Sequence, residues 1–186
     1  MVALPLPLTT ARLTLRAYET DDLAAIHGLF SREDVCRYLP WEPMDLGQAR
    51  AKLAQRLTQD HLEADGDPLV LAVVERETGR TVGELMLRLT SLESRQGEIG
   101  WSFHPDVQGR GLATEGATEM LRLGFDVVGL HRIHAGADAR NEASVRVMER
   151  LGMRREAHFV DSELVKGEWV GEIVYGLLES EWRARA

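Results

Sequence analysis

Two glycines lie between an apolar strand and an apolar helix, in the stretch VQGRGLATEG at residues 107–116. At the start of a helix the first backbone N–H groups have no partner within the helix and carry the positive end of its dipole. Gly109 and Gly111 allow unusual backbone angles there and leave space for a ligand. The combination is typical of a phosphate site, although glycines before a helix are also ordinary turn residues.

Two familiar phosphate-binding motifs do not fit this stretch. A Walker loop would end in Gly-Lys followed by Ser or Thr, and that ending is missing. A dinucleotide fingerprint would need a third Gly or Ala where Thr114 stands. The spacing therefore argues against both nucleotide-binding classes.

A second candidate is the tetrapeptide NEAS, residues 141–144. Asn141 stands where a helix N-cap belongs, and Ser144 follows one turn inside the same helix. Taken alone, these residues predict a capped helix with a small packing residue.

The third candidate is Glu98, within the strand pattern GEIGWSFH. On a strand it shares one face with Gly100 and Ser102, opposite the apolar row that begins at Ile99. Such a carboxylate either caps a sheet edge or accepts a proton from an attacking ammonium, because only a neutral amine has a lone pair for attack. Glu84 on the preceding strand is the second candidate for that role.

The elements that must position these residues alternate along the chain. Hydrophobic periodicity and capping residues predict helices at 21–30, 46–61, 112–128 and 141–152. Strands are predicted at 11–18, 68–75, 81–89, 97–104, 131–138, 154–162 and 168–179. This mixture predicts an α/β or α+β fold, with an antiparallel first half and helices packed on a central sheet.

Composition narrows the classes of function. A net charge of −8 argues against a nucleic-acid backbone as the main ligand and is permissive of cationic substrates. Cys36 is the one cysteine, which excludes an internal disulfide and favours a reducing, cytoplasmic setting. The histidines lack the spacing of a metal site. No metal is therefore expected. The opening MVALPLPLTT lacks the basic start of a signal peptide, and no apolar run approaches about 20 residues, so a membrane span is not expected either.

The motif Gln108-Gly-Arg-Gly111-Leu-Ala113 matches the Q/R-x-x-G-x-G/A signature of the GNAT superfamily of N-acetyltransferases. Further matching segments are TARLTLR, EIGWSFHPDVQGRGLATEG, NEASVRVMERLGM and KGEWVGEIVYGLLESEW. Their order resembles the ribosomal-protein alanine N-acetyltransferase branch over nearly the whole chain. The resemblance implies a single GNAT-fold domain over residues 1–186, with a central mixed, mostly antiparallel sheet and helices on both faces.

The resemblance also implies acetyl-coenzyme A as cosubstrate, without a metal. The coenzyme-binding residues that it implies are Trp101, Ser102, Phe103, Gln108, Gly109, Arg110, Gly111, Leu112, Ala113, Thr114, Asn141 and Ser144. In the family two strands splay near the position of Trp101 and free backbone amides for the ligand. Glu98 matches the usual catalytic base. Met148 stands where many relatives have a tyrosine that protonates the leaving thiolate. The resemblance implies Ser144 as the proton donor in its place, with a bound water as the alternative.

The acceptor side is less well defined by the resemblance. Tyr38, Trp41, Glu84 and Trp169 are expected to shape the acceptor pocket. The branch often shows G-x-W-x-D near the C-terminus, whereas Gly171 occupies the acidic position in this chain.

The predicted function is acetyl transfer from acetyl-coenzyme A to a primary amine by direct attack in a ternary complex. The acceptor is either a protein N-terminal α-amine or a small-molecule amine. The alternative is a non-catalytic acyl-coenzyme-A-binding sensor or scaffold. The exposed edge expected of the C-terminal hairpin also favours a homodimer.

Overall fold

The computed structural model describes residues 4–185. Its eight strands are β1 (Leu8–Thr9), β2 (Leu13–Arg16), β3 (Pro68–Glu75), β4 (Thr81–Ser91), β5 (Gln96–Phe103), β6 (Arg132–Asp138), β7 (Arg154–Val165) and β8 (Glu168–Leu178). Its α-helices are α1 (Leu23–Phe30), α2 (Glu33–Cys36), α3 (Leu46–Arg56), α4 (Leu112–Arg122), α5 (Glu142–Arg150) and α6 (Glu179–Arg183).

All eight strands form one sheet in the order β1-β2-β3-β4-β5-β6-β8-β7. Strands β1 to β5 pair antiparallel with their neighbours in chain order. The pairing of β5 with β6 is parallel, because α4 crosses over between them. Strands β6, β8 and β7 are again antiparallel. The predicted mixed, mostly antiparallel sheet is confirmed.

Helices cover both faces of the sheet, as predicted. Apolar residues of α4, among them Leu112, Met120 and Leu121, pack on one face with the alternate residues of β3 to β6. On the other face Ile26 and Phe30 of α1 meet Val70 and Ala72 of β3. The sheet thus separates an α4–α5 side from an α1–α3 side.

Several predicted boundaries differ from the structure. The predicted helix at 112–128 is α-helical to Arg122 and then continues as a π-helix over Leu123–Val127. In this last turn Val128 donates its backbone N–H to the carbonyl of Leu123 at 2.9 Å. The predicted helix at 46–61 ends already at Arg56.

The C-terminal hairpin reaches back to the first half of the chain. Its turn is Lys166-Gly167, and both residues have positive φ, as two-residue hairpin turns require. Nζ of Lys166 donates to the carbonyl of Cys36 at 2.6 Å, at the end of α2. The hairpin therefore closes one end of the α1–α3 side.

Within residues 4–185, no helix is long and apolar enough to cross a membrane. The same part of the chain contains no group of three or more metal-ligating side chains.

Candidate active site

The sheet opens between its two parallel strands. Pairing of β5 with β6 ends where Glu98 lies opposite His134. Beyond that point β5 stays paired with β4 as far as Phe103, and β6 stays paired with β8 as far as Asp138. The two strands therefore diverge, and each has one edge without a sheet partner among residues 4–185.

Backbone groups of β5 face this opening at alternate residues. The backbone N–H of His104 donates to the carbonyl of Val82 on β4 at 2.8 Å. Because backbone groups alternate along a strand, those of Ser102 also face β4, whereas those of Trp101 and Phe103 face the opening. Trp101 and Phe103 thus present backbone donors to the opening, whereas the backbone of Ser102 does not.

The glycine-rich loop lies between β5 and the first turn of α4. Gly109 and Gly111 have φ of +74° and +78°, which glycine adopts without strain. An added Cβ at Gly109 would meet nothing within 4 Å, and one at Gly111 would meet Arg12 at 3.7 Å. The Thr114 hydroxyl in this turn is buried and has no hydrogen-bond partner among the described residues. Open space, helix N–H groups and a free hydroxyl together fit an anionic ligand.

The other residues predicted in this loop differ in their surroundings. Gln108 and Arg110 are exposed, Ala113 is half-buried, and Leu112 is buried in the core beneath α4. The Arg110 guanidinium pairs with Glu75 on β3 at 2.5 Å. Arg110 would therefore reach an anion through its backbone amide rather than through its side chain.

An arginine that the sequence patterns missed anchors the loop. Arg12 donates through Nη1 to the carbonyl of Arg110 at 2.9 Å and through Nε to Glu115 at 2.7 Å. Glu115 also accepts a hydrogen bond from the Thr10 hydroxyl at 2.6 Å. These contacts join segments that are about one hundred residues apart, so local spacing cannot reveal them.

The start of α5 borders the opening on the side of β6. Asn141 donates its backbone N–H to the carbonyl of Asp138, the last residue of β6, at 2.8 Å. Its Oδ1 accepts the backbone N–H of Ser144 at 3.1 Å, which confirms the predicted N-cap. Ser144 is half-buried, and Met148 is fully buried in the core.

Glu98 lies on the α1–α3 side of the sheet. It alternates with Ile99 and Phe103, which are buried on the α4 side. Its carboxylate forms an ion pair with Arg88 of β4, and both side chains are partly exposed.

Glu84, the second candidate for the proton acceptor, is held in a buried ion pair. Its carboxylate accepts hydrogen bonds from Nε and Nη2 of Arg56 on α3, at 3.0 and 2.7 Å. The Tyr18 hydroxyl donates to it at 3.2 Å. Burial and the charge of Glu84 raise the pKa of Tyr18, so its phenol remains a donor. Both oxygens of the Glu84 carboxylate therefore already accept hydrogen bonds from Arg56 and Tyr18.

A buried lysine lies beside this ion pair. Lys52 is one helical turn before Arg56, with its ammonium 4.4 Å from the ring centre of Phe30 and 4.3 Å from that of Trp41. Burial lowers the pKa of Lys52 to about 8, against the opposite influence of Glu84. The contacts with the two rings favour the charged form.

We expect Lys52→Met to raise the free energy of unfolding by about 1–3 kcal/mol near pH 7, because it removes the cost of burying a charge. The folded-state pKa of about 8 lies below the ordinary value of 10.5. Lys52 therefore lowers the free energy of unfolding by its full amount below pH 8. This loss of stability decreases as the pH rises from 8 toward 10.5.

Urea unfolding at pH 7 and pH 10 measures this effect. Arg50→Met is the matched control, since Arg50 lies on the exposed face of the same helix. We expect it to change stability by less than about 0.5 kcal/mol. If Lys52→Met gave no gain in stability, or the same gain at both pH values, the buried charge of Lys52 would not be the cause of the lost stability.

The aromatic residues predicted for the acceptor pocket do not all come together. Trp41 packs on the α1–α3 side, and its indole N–H is buried without a hydrogen-bond partner in the described part of the chain. Tyr38 is half-buried in the same connection. Trp169 is 63% exposed near the hairpin turn. It alternates with Glu172 along β8, so the two side chains lie on opposite faces.

Comparison with known proteins shows the family to which this fold belongs. Residues 12–154 match the acetyltransferase (GNAT) domain. The uncharacterized N-acetyltransferase YnaD of Bacillus subtilis (strain 168) is 33% identical over 175 residues, which cover 94% of this chain and 98% of that protein. The crystal structure of a GNAT-family acetyltransferase from Bacillus anthracis gives a TM-score of 0.84 at 30% identity, covering 94% of this chain and 99% of that one.

The predicted ribosomal-protein alanine N-acetyltransferase branch matches less than half of the chain, whereas relatives named for another acceptor match nearly all of it. The [ribosomal protein uS5]-alanine N-acetyltransferase of Escherichia coli (strain K12) is 30% identical over 84 residues, which cover 45% of this chain and 43% of that protein. The spermidine N(1)-acetyltransferase of Vibrio cholerae serotype O1 is 26% identical over 176 residues, which cover 95% of this chain and 98% of that protein. Relatives named for different acceptors therefore resemble this chain in sequence, and the chain belongs to the GNAT family of acetyltransferases.

Proposed function

We propose that this acetyltransferase transfers an acetyl group from acetyl-coenzyme A to a primary amine, by direct attack while both substrates are bound. The observation that carries the proposal is the opening between β5 and β6. Its rim holds the backbone donors of Trp101 and Phe103, and the loop at Gly109 and Gly111 lies at its end. These are the groups that a thioester and a pyrophosphate would need.

The residues present fit the cosubstrate that GNAT acetyltransferases use. The loop amides and the free Thr114 hydroxyl would hold the pyrophosphate at the start of α4. Asn141 and Ser144, at the start of α5, would border the pantetheine arm. The acyl end would then point through the opening toward the α1–α3 side, where the carboxylates lie.

Direct attack requires a neutral amine and a stabilised oxyanion. Backbone donors at Trp101 and Phe103 would stabilise the negative charge that develops on the thioester oxygen. Ser144 would supply a proton to the departing thiolate. A covalent route through the one cysteine is disfavoured, because burial raises the pKa of Cys36. Its thiol also donates to the carbonyl of Phe30 at 3.2 Å.

We call the part of the α1–α3 side of the sheet that carries Glu98, Glu163 and Glu172 the acceptor face. Its negative charge favours a cationic amine as acceptor. Glu98, Glu163 and Glu172 lie close enough for their charges to interact, and the chain as a whole carries −8. Negative potential of this kind attracts ammonium groups to a site. The relative from Vibrio cholerae named for spermidine makes a polyamine the first acceptor to try.

Release of free thiol from acetyl-coenzyme A against a panel of amines tests the proposal. The panel contains spermidine, aminoglycosides, amino acids and peptides with different N-termini. We expect amine-dependent thiol release and an acetylated product of the expected mass. Tight binding of acetyl-coenzyme A without turnover of any amine would refute the proposal and would instead indicate an acyl-coenzyme-A sensor.

Two neighbouring variants separate helix capping from chemistry. Asn141→Ala should lose about 1 kcal/mol of stability because it removes the N-cap of α5. Ser144→Ala should leave stability nearly unchanged, since the Ser144 contact with the cap is made by its backbone, and should lower kcat. Chemical denaturation and steady-state kinetics measure the two effects. Unchanged kcat in Ser144→Ala would assign the thiolate proton to water.

A further inference from the structure

Glu172 is a carboxylate on the acceptor face to which the sequence patterns gave no role. It lies on β8 in register with Asp138 of β6. Its neighbours Ile173 and Tyr175 alternate into the core on the α4 side. Glu172 therefore faces the α1–α3 side, as Glu98 does, because residues of paired strands alternate between the two faces of a sheet.

A glycine on β6 lets this carboxylate reach the opening. Oε1 of Glu172 lies 2.5 Å from the position that a Cβ would take at Gly136. Gly136 is exposed and stands two residues beyond His134, where the pairing with β5 ends. The carboxylate therefore extends from β8 over β6 toward the opening, in space that any side chain at position 136 would occupy.

The carboxylates of Glu98 and Glu172 differ in their partners. Glu98 forms an ion pair with Arg88. The Glu172 carboxylate has no hydrogen-bond or ion-pair partner within residues 4–185. Burial, with smaller effects of the charges of Glu163 and Glu98, raises the pKa of Glu172. A proton acceptor works best when its pKa approaches the operating pH and no other group occupies its oxygens.

We propose that Glu172 takes the proton from the acceptor ammonium, and that Glu98 attracts this ammonium as a fixed negative charge. The proposal rests on the acetyl transfer proposed above and names the proton acceptor of that reaction. Gly136 gives the Glu172 carboxylate access to the opening.

The protons and bonds of this step balance. One ammonium proton passes to the Glu172 carboxylate and frees the nitrogen lone pair. The nitrogen forms a C–N bond to the acetyl carbon, the C–S bond breaks, and the thiolate takes a proton from Ser144. The nitrogen gives up a second proton, which replaces the one lost by Ser144, and Glu172 releases its proton to solvent.

The pH dependence of Glu172 reflects the charged groups on the strands next to it. From β5 it faces Glu98 with its partner Arg88, and from β7 it faces Glu163. His134 and Asp138 of β6 lie on the same face. The Asp138 carboxylate forms an ion pair with Arg140 at 2.7 Å.

The central experiment measures kcat and KM of Glu172→Gln from pH 6 to pH 9.5. It uses acetyl-coenzyme A with the most active panel amine of pKa near about 10.4. We expect kcat/KM at pH 7 to fall by about 10²–10⁴-fold, mostly through kcat, and the defect to shrink as the amine itself becomes neutral. Glutamine has nearly the same shape as glutamate, and circular dichroism checks the fold.

The neighbouring acid Glu163 is the matched control. Glu163→Gln should retain kcat at its plateau within about tenfold, whereas Glu98→Gln removes the charge proposed to attract the ammonium and should raise KM. Both should move the acid limb of the pH–rate profile to lower pH. Removing a negative neighbour makes the ionised form of Glu172 easier to reach, so its pKa falls.

Gly136→Ala tests the geometry while it keeps the carboxylate. The added methyl group would collide with Oε1 of Glu172, so the flexible side chain must move away from the opening. We expect at least about tenfold lower kcat with an unchanged thermal midpoint. The double variant with Glu172→Gln should lose little more than Glu172→Gln alone, because both changes act on one group.

Three results would overturn the assignment. Glu172→Gln could retain wild-type kcat/KM at pH 7, or it could raise KM with kcat unchanged, which would make Glu172 a binding residue. Alternatively, Glu98→Gln could show the 10²–10⁴-fold loss in place of Glu172→Gln, which would return the role to Glu98. An active wild type in any of these cases leaves the proposed function standing. A wild type that acetylates no amine removes both proposals.

Discussion

Replacing Arg56 with methionine is expected to lower the free energy of unfolding by about 3–5 kcal/mol. The Arg56 and Glu84 side chains are 12% and 10% exposed, and the guanidinium makes two of the carboxylate's hydrogen bonds. The variant leaves the Glu84 charge buried with the Tyr18 hydroxyl as its remaining hydrogen-bond donor. Urea unfolding followed by tryptophan fluorescence measures the loss.

Two further variants decide whether the buried charge is the cause. Arg56→Met combined with Glu84→Gln should recover a large part of the loss, because the unpaired charge is gone. Arg122→Met removes a surface ion pair with Glu119 on α4, where the arginine is 41% exposed, and should cost less than about 1 kcal/mol. Equal losses for Arg56→Met and Arg122→Met would show that burial of the first pair has no energetic consequence.

Replacing Gly111 with valine is expected to raise the Kd for acetyl-coenzyme A at least about tenfold, which corresponds to ~1.4 kcal/mol. The φ of +78° at Gly111 is strained for a β-branched residue. The backbone must therefore shift, or the new side chain must fill the space where the pyrophosphate is proposed to bind. Calorimetric titration measures the affinity.

Gly129→Val is the matched control for backbone strain. Gly129 has φ of +77° and nothing within 4 Å of an added Cβ, and it precedes β6 at the end of the sheet away from the opening. Both variants should lose similar stability, but Gly129→Val should bind acetyl-coenzyme A as the wild type does. Equal affinities for the two folded variants would remove the loop from the proposed coenzyme site.

Local patterns predicted the elements around the opening. The alternation in GEIGWSFH placed β5 within one residue of its observed ends, and Asn141 marked the start of α5. Shorter elements were missed because they contain too few residues to show a period. Helix α2 has four residues and strand β1 has two. The last strand was extended by one residue, to Glu179, where α6 begins.

Contacts between distant segments could not be predicted in the same way. Lys52 and Arg56 share a helix face with Ala49, but their burial depends on Glu84, which lies 28 residues beyond Arg56. The approach of Glu172 to Gly136 depends on the register of β6 with β8. The sequence of each strand alone does not indicate this register, so the role of the Glu172 carboxylate could not be predicted.

The divergence of β5 from β6 has a consequence for the order in which substrates arrive. The opening connects the two faces of the sheet, and the loop before α4 and the acidic residues on the α1–α3 side lie at its two ends. If the substrates bind at the sites proposed above, neither has to pass through the space that the other occupies. The reaction should therefore show no obligatory binding order. Initial-rate lines at different fixed concentrations of the second substrate should intersect, and each product should be able to leave by the entrance through which its parent came.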